Sequence, residues 1–298
     1  MRILHICLTG PYTDNFNYQE NMLSKFQAKT GHDVYLIASQ WEWGKNGKLQ
    51  KHIGANAYIN TDKVSVFRLP IAKDKDVFYR YKKYLGFYET IQKIKPDIIF
   101  IHNLQFLDIC LIVKYAKQNK VTVYADNHAD FSNSAQSKVA VCFYKIVWRH
   151  MAHMIEPYTT KFYGVLPARV DFLVDIYGLP KNKCELLVMG ADDEEVERAC
   201  TVDNQNRARN KLGIRPNDFV LVTGGKIDKW KSQTLLLMQA VRIINDARLK
   251  LLIFGPVSED IKNKFYNLLD FNTMIYISWA DTKESYDYFA ISDLVVFP

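Results

Sequence analysis

Phe219-Val220-Leu221-Val222-Thr223-Gly224-Gly225-Lys226-Ile227-Asp228-Lys229-Trp230-Lys231-Ser232 joins a short apolar run to a glycine pair and a basic loop, and then runs into a helical pattern near Ser232–Asn245. A strand that turns through glycine into a helix opens a βαβ unit. Three further apolar runs follow at helix-length spacing, Leu249–Phe254, Met274–Ser278 and Leu294–Phe297, with helices expected near Glu259–Leu269 and Lys283–Ile291. Parallel strands joined by such crossovers predict a doubly wound sheet. The series stops on a strand that lacks its covering helix, so the natural chain is expected to continue past Pro298 and the second domain to be incomplete.

The same alternation runs through the first half. Arg2–Leu8, Asp33–Ala38, Val64–Leu69, Asp97–His102, Val121–Ala125, Phe162–Leu166 and Glu185–Val188 read as strands. Met22, Leu23 and Phe26 share one expected helical face ended by Gly31, and Phe78, Tyr81, Leu85, Tyr88 and Ile91 share another that stops before Pro96. The expected organisation is a Rossmann-like domain over 1–190, a polar linker with a short helix over 191–218, and a second Rossmann-like domain from 219. Tandem units of this kind are expected to turn the carboxyl ends of their strands, where ligands bind, toward a shared cleft.

Composition narrows the function. The chain is 48% hydrophobic and 24% charged, which is ordinary for a folded enzyme, and no run nears the roughly 20 apolar residues of a membrane-spanning helix. No cleavable signal opens the sequence, and the five scattered cysteines form no C-x-x-C pair, so a cytoplasmic protein without disulfides or zinc is expected. The net charge of +7 lies wholly in residues 1–190, with 25 Lys and Arg against 16 Asp and Glu. That asymmetry predicts an anionic partner for the first half. No recognition helix or stacking strand patterned for nucleic acid is visible. Two stretches interleave bases with aromatics, Lys73–Tyr88 and Lys138–His150, and read either as helices on an anionic membrane or as core aromatics beside solvated bases.

The loops after strands hold the candidate chemistry. The first, Thr9-Gly10-Pro11-Tyr12-Thr13-Asp14-Asn15-Phe16-Asn17-Tyr18-Gln19-Glu20, lacks G-x-G-x-x-G, which disfavours a nicotinamide or flavin enzyme. It reads either as a ligand loop or as an ordinary βα loop in which Asn17 caps the helix. Asp126-Asn127-His128-Ala129-Asp130 places an imidazole between two carboxylates at a strand end, with His102-Asn103 repeating the theme one strand earlier. Such a cluster suits sugar binding or proton transfer, or else a loop whose side chains satisfy its own backbone. In the 224–232 loop, Lys229 and Lys231 oppose the helix macrodipole unless a bound anion reverses the balance, as a diphosphate would. The loop has no Walker A spacing.

Together these residues resemble the retaining GT-B glycosyltransferases of the large bacterial family four. The carriers are Tyr18-Gln19-Glu20-Asn21, Gly31-His32-Asp33-Val34, Pro167-Ala168-Arg169-Val170-Asp171-Phe172-Leu173 with Tyr177-Gly178-Leu179-Pro180, Met189-Gly190-Ala191-Asp192, Gly225-Lys226 with Lys231, Phe254-Gly255, and Ser292-Asp293-Leu294-Val295-Val296-Phe297-Pro298. The resemblance implies a nucleotide-sugar donor held by Gly10, Asn17, Gly224, Gly225, Lys226, Lys231 and Gly255, with Lys226 and Lys231 neutralising the leaving diphosphate. His128 matches a histidine that contacts the transferred sugar. Tyr18, Gln19, His102, Asp126 and Asp130 fall on the acceptor side, the acceptor being a glycan or a lipid-linked sugar. It implies no cofactor and no metal. Three departures stand out: Asn15-Phe16-Asn17 replaces paired glycines, Lys226 replaces an arginine and its bidentate fork, and the family's E-x7-E element would lie past Pro298. A nucleotide-sugar 2-epimerase of the same fold and a two-lobed small-molecule binding protein are the alternative readings.

Overall fold

A computed structural model describes residues 1–44, 47–72, 82–229 and 233–297. They form two compact units. One holds the described residues of Met1–Trp43 and Leu49–Gly190; the other holds those from Ala191 onward together with Gly44, Gly47 and Lys48.

The first unit is built on an eight-stranded sheet in the order β10-β9-β8-β7-β1-β2-β6-β5. Its strands are β1 (Arg2–Cys7), β2 (Asp33–Ser39), β5 (Ala57–Ile59), β6 (Ser65–Leu69), β7 (Ile98–His102), β8 (Thr122–Asn127), β9 (Thr159–Gly164) and β10 (Cys184–Leu186). All pairs are parallel except β5 with β6. The period of two splits each strand between two faces. Leu4 and Ile6 of β1 pack into the larger core with Ile99, Ile101, Val123, Ala125 and Phe162, under the helices that carry Ile91, Ile112, Ala152 and Phe172. His5 and Cys7 point the other way, where helix α1 (Gln19–Lys29) lies.

The second unit has a four-stranded parallel sheet in the order β13-β12-β11-β14: β11 (Phe219–Gly224), β12 (Leu249–Phe254), β13 (Met274–Ile277) and β14 (Leu294–Val295). Leu221, Leu251 and Ile253 bury one face against Met238, Val241 and Phe265. Val220, Val222, Leu252 and Phe254 bury the other against Ala208, Ile214, Tyr288 and Ile291.

Several elements differ from expectation. Residues 191–218 hold two helices, Asp193–Ala199 and Val202–Lys211, where a linker with one short helix was expected. They are tied into the second unit by Arg198 Nη1 at 2.8 Å from Asp287 Oδ1 and by Arg209 Nη1 donating to the Ile291 carbonyl at 3.0 Å. Polar composition concealed this, because long polar side chains reach the last helix and the buried apolar part of the attachment is only Ala199, Ala208 and Ile214 among the described residues. The helix expected through Leu85 and Ile91 spans only Phe87–Ile94 among the described residues, since Gly86 takes a φ of 74° that breaks a helix. Phe78 and Tyr81 lie outside the described residues.

Helix α1 buries Gln19, Asn21 and Ser24, whereas Phe26 is exposed beneath the ammonium groups of Lys25 and Lys29. Its inward face is therefore polar. The hairpin β3 (Trp41–Trp43) with β4 (Leu49–Lys51), and strand β5, were not expected at all, because three-residue strands are too short to show a period.

Candidate functional site

In the first unit a pocket of about 340 Å³ opens where the β1, β7 and β8 chains leave the sheet. Gly10, Tyr18, Gln19, Glu20, His102, Asn103, His128 and Arg169 line it, with Cys7, Thr9, Pro11 and Met189. No protein atom would meet a Cβ at Gly10. Asn15 adopts a left-handed φ of 62°, a conformation asparagine tolerates, in the place where the resembling family has glycine. Tyr18 occupies the N-cap position of α1 without a side-chain cap, so Asn17 is no cap, and Asn17 is not among the lining residues. Lys82 donates to the Thr9 carbonyl from beneath the loop, and burial lowers its pKa to about 8.

Gln19 has the plainest unmet need. It is 5% exposed and lines the pocket, yet neither amide atom has a hydrogen-bond partner. Leaving such a group unmade costs roughly 1–3 kcal/mol, a loss that a polar ligand recovers.

Behind the pocket runs a buried chain of side chains. His5 Nε2 lies 2.7 Å from Gln27 Oε1, and His5 Nδ1 lies 2.9 Å from His102 Nε2. His102 Nδ1 is 2.6 Å from Asp126 Oδ2, and His128 Nε2 is 3.4 Å from Asp126 Oδ1. The carboxylate only accepts, so His102 donates from Nδ1 and His128 from Nε2. Burial, reinforced by His102, lowers the His5 pKa to about 3 and keeps that ring neutral. Its Nε2–H donates to the Gln27 oxygen, so its Nδ1 accepts from His102 Nε2–H. His102 thus stands between the His5 ring and the Asp126 carboxylate.

Burial alone would raise the Asp126 pKa, but His102 and His128 hold it well below the usual range. Burial alone would likewise lower the His128 pKa; Asp126, helped by Glu20, more than offsets this, and the net shift is upward. His128, its proton favoured by Asp126, is suited at the pocket wall to an anionic or hydroxyl-bearing ligand. Burial also pushes the Cys7 thiol up, so it is a neutral wall residue and no nucleophile.

Not every expected residue touches the pocket. Asp126 is 1% exposed and orients His102, His128 and the Asn103 backbone, which donates to it at 3.0 Å. Asp130 accepts from Arg169 Nε at 3.0 Å and aims that guanidinium. Arg169, Glu20 and Asn103 were not singled out as site residues in the sequence, and His5 was hidden in an apolar strand. For Arg169 the only signal was its place in the Pro167–Leu173 motif.

The second unit holds a pocket of about 230 Å³ lined by Thr223, Gly224, Lys226, Ile227, Gln233, Thr234 and Phe297. Lys226 Nζ sits 3.7 Å from Asp228 Oδ2 with its side chain largely exposed. Lys231 lies outside the described residues. The glycines have a structural reason for being there. Gly225 and Gly255 take φ of 105° and 125°, and a Cβ on Gly255 would stand 2.1 Å from the Gly225 oxygen. A Cβ on Gly224 would meet the Phe254 ring. The two strand-end loops are thereby zipped together, Ile227 donating to Pro256 and Ser258 to Ile227, each at 2.9 Å. Gly255→Ala is expected to destabilise the second unit by about 1–3 kcal/mol, read by urea denaturation; an unchanged midpoint would disprove the close approach.

Among the described residues no three His, Cys, Asp or Glu side chains are grouped to share a metal ion, and no helix is long and apolar enough to cross a membrane.

No protein-family model matches the chain, and no curated protein matches it. Solved structures do. Sucrose-phosphate synthase from Thermosynechococcus elongatus is 12% identical, with a TM-score of 0.68 over 100% of this chain and 75% of that one. Anabaena HepE in complex with UDP and glucose is 12% identical, with a TM-score of 0.62 over 98% and 73%. UDP-GlcNAc 2-epimerase from Neisseria meningitidis bound to UDP-GlcNAc is 10% identical, with a TM-score of 0.60 over 99% and 77%. The fold is that of the GT-B glycosyltransferases.

Proposed function

We propose that this chain is a retaining, family-four-like glycosyltransferase that passes a sugar from a UDP- or GDP-linked donor to a glycan or lipid-linked acceptor in bacterial surface polysaccharide or glycolipid synthesis. The observation that carries the reading is the orphaned amide of Gln19, opening with His128 and Arg169 onto a pocket at the strand ends of a GT-B fold. A polyhydroxyl ligand bearing phosphate satisfies all three groups at once.

The donor's anomeric C–O bond breaks with its electron pair leaving on the diphosphate, the acceptor hydroxyl oxygen bonds the anomeric carbon, and the hydroxyl proton passes to the diphosphate. Lys226 and Lys231 supply positive charge to the leaving group in place of a metal. His128, held by Asp126, contacts the transferred sugar. Tyr18, Gln19 and His102 contribute to the acceptor side, with Asp126 and Asp130 acting from behind it. The five thiols, all free, suit the cytoplasm.

Thermal unfolding with a panel of UDP- and GDP-sugars tests the donor. At a hundredfold excess over Kd, one nucleotide class is expected to stabilise the protein by about 2.7 kcal/mol, and Lys226→Ala to remove most of that shift. If no nucleotide sugar shifts the transition, the donor assignment fails. The epimerase neighbour makes one other outcome informative: free epimerised sugar produced without acceptor would replace transfer by epimerisation.

A further inference from the structure

Helix Lys138–Phe143 continues through a π-helical turn, Tyr144–Trp148, into helix Arg149–Ile155. One side belongs to the core: Trp148, Ala152 and Ile155 are buried, and Val141, Tyr144, Val147 and Met151 pack beside them. Ordinary amphipathicity calls for a polar opposite side. Instead Val139, Phe143 and Ile146 are 80%, 43% and 66% exposed, at i, i+4 and i+7, with exposed Cys142 between them. Single exposed hydrophobes are normal, but a stripe at helical spacing marks an interaction surface.

The surrounding charge says what covers it. From Phe131 through Ile155 there is no Asp or Glu, while Lys138, Lys145, Arg149, His150 and His153 are all present, and of these Lys138, Lys145, His150 and His153 are exposed. Along this segment the apolar side chains are accompanied by bases and by no acid, which matches the boundary of an anionic bilayer, whose surface attracts Lys and Arg. The helix follows directly on the loop after β8, whose Asp130 aims Arg169 at the first-unit pocket. The comparable apolar face on helix Gln233–Ile244, with Leu236, Ile243 and Ile244 exposed, carries one base within the helix, Arg242.

We propose that the Val139–Phe143–Ile146 face docks in the plane of an anionic membrane, seating the first unit on the bilayer. The surface is separate from the pocket, and its test requires no sugar donor, so it stands or falls apart from the donor assignment. The experiment is flotation of the whole chain with vesicles of phosphatidylcholine alone or containing phosphatidylglycerol. Binding is expected only with phosphatidylglycerol, to weaken with salt, and to fall at least tenfold in Val139→Glu/Ile146→Glu, while Ile243→Glu binds as wild type does. Both replaced side chains are exposed, and an unchanged melting temperature confirms that the variant folds; a Phe143→Ser variant serves if it does not.

Absence of binding to phosphatidylglycerol vesicles, or equal binding by the double variant, would overturn the proposal. So would a wild-type dimer that the double variant splits without any vesicle binding, since the face would then belong to a second copy of the chain.

Discussion

Replacing Arg68 by methionine is expected to destabilise the first unit by about 3–5 kcal/mol, the range for stripping a buried charge from its partners. Arg68 is 1% exposed in the middle of an apolar strand, β6. Its Nε donates to Tyr58 Oη at 3.0 Å, and its Nη1 to the carbonyls of Tyr12 at 3.0 Å and Ser39 at 3.3 Å. Its Nη2 lies 3.6 Å from both Asp14 and Glu42 carboxylates. The guanidinium therefore binds β2, β3, β5 and the first loop to β6. Methionine fills similar space but leaves two carboxylates facing each other and two carbonyls unpaired.

Urea denaturation followed by Trp41 and Trp43, on the strand that carries Glu42, reads the effect locally. Arg68→Lys keeps a charge without the fork and is expected to fall between wild type and methionine. A methionine variant within 1 kcal/mol of wild type would show that the cluster contributes little. Because Tyr12 and Asp14 belong to the loop that begins the pocket, the variant is also expected to weaken whatever ligand the pocket takes.

Acid is expected to begin weakening the first unit above the pH at which ordinary carboxylates titrate, with His5 as the cause. Its pKa is lowered to about 3 from an ordinary value of 6.5. Above pH 6.5 both folded and unfolded chains hold it neutral, and its contribution is whole. Below that the unfolded chain takes a proton that the folded chain refuses, and stability falls by about 1.4 kcal/mol per pH unit, on the order of 3 kcal/mol by pH 4. Asp126, whose pKa is depressed, adds a loss in the same direction at lower pH. His128 works the other way: its raised pKa gives a contribution present below pH 6.5 and lost as pH rises through its folded value. His5→Gln keeps a polar side chain but no titration, and is expected to flatten the slope of stability between pH 6.5 and 4. A variant slope equal to that of wild type would remove His5 as the cause.

The order of strands and helices was legible in the sequence because periodicity is local: an apolar run of five residues announces a strand wherever its neighbours lie. Residue types at strand ends were legible for the same reason, which is how His102, His128 and Lys226 stood out. The purpose of those residues was not legible, since it depends on pairings far apart in the chain. His102 faces Asp126 because β7 and β8 are adjacent and in that register, and His5 reaches His102 because β1 lies on the other side of β7. Arg68 and His5 each sit inside a run that reads as apolar core, and only the packing shows that polar partners from four other segments, or a glutamine from α1, close around them. The glycine pair at 224–225 was read for ligand approach; packing adds a second role, since a Cβ on Gly224 would meet the Phe254 ring and one on Gly255 the Gly225 oxygen. Sequence alone therefore determined the alternation of elements and the chemistry available at their ends. Tertiary structure decided which of those groups are paired, buried and charged, because protonation and hydrogen bonding depend on neighbours that strand register brings together.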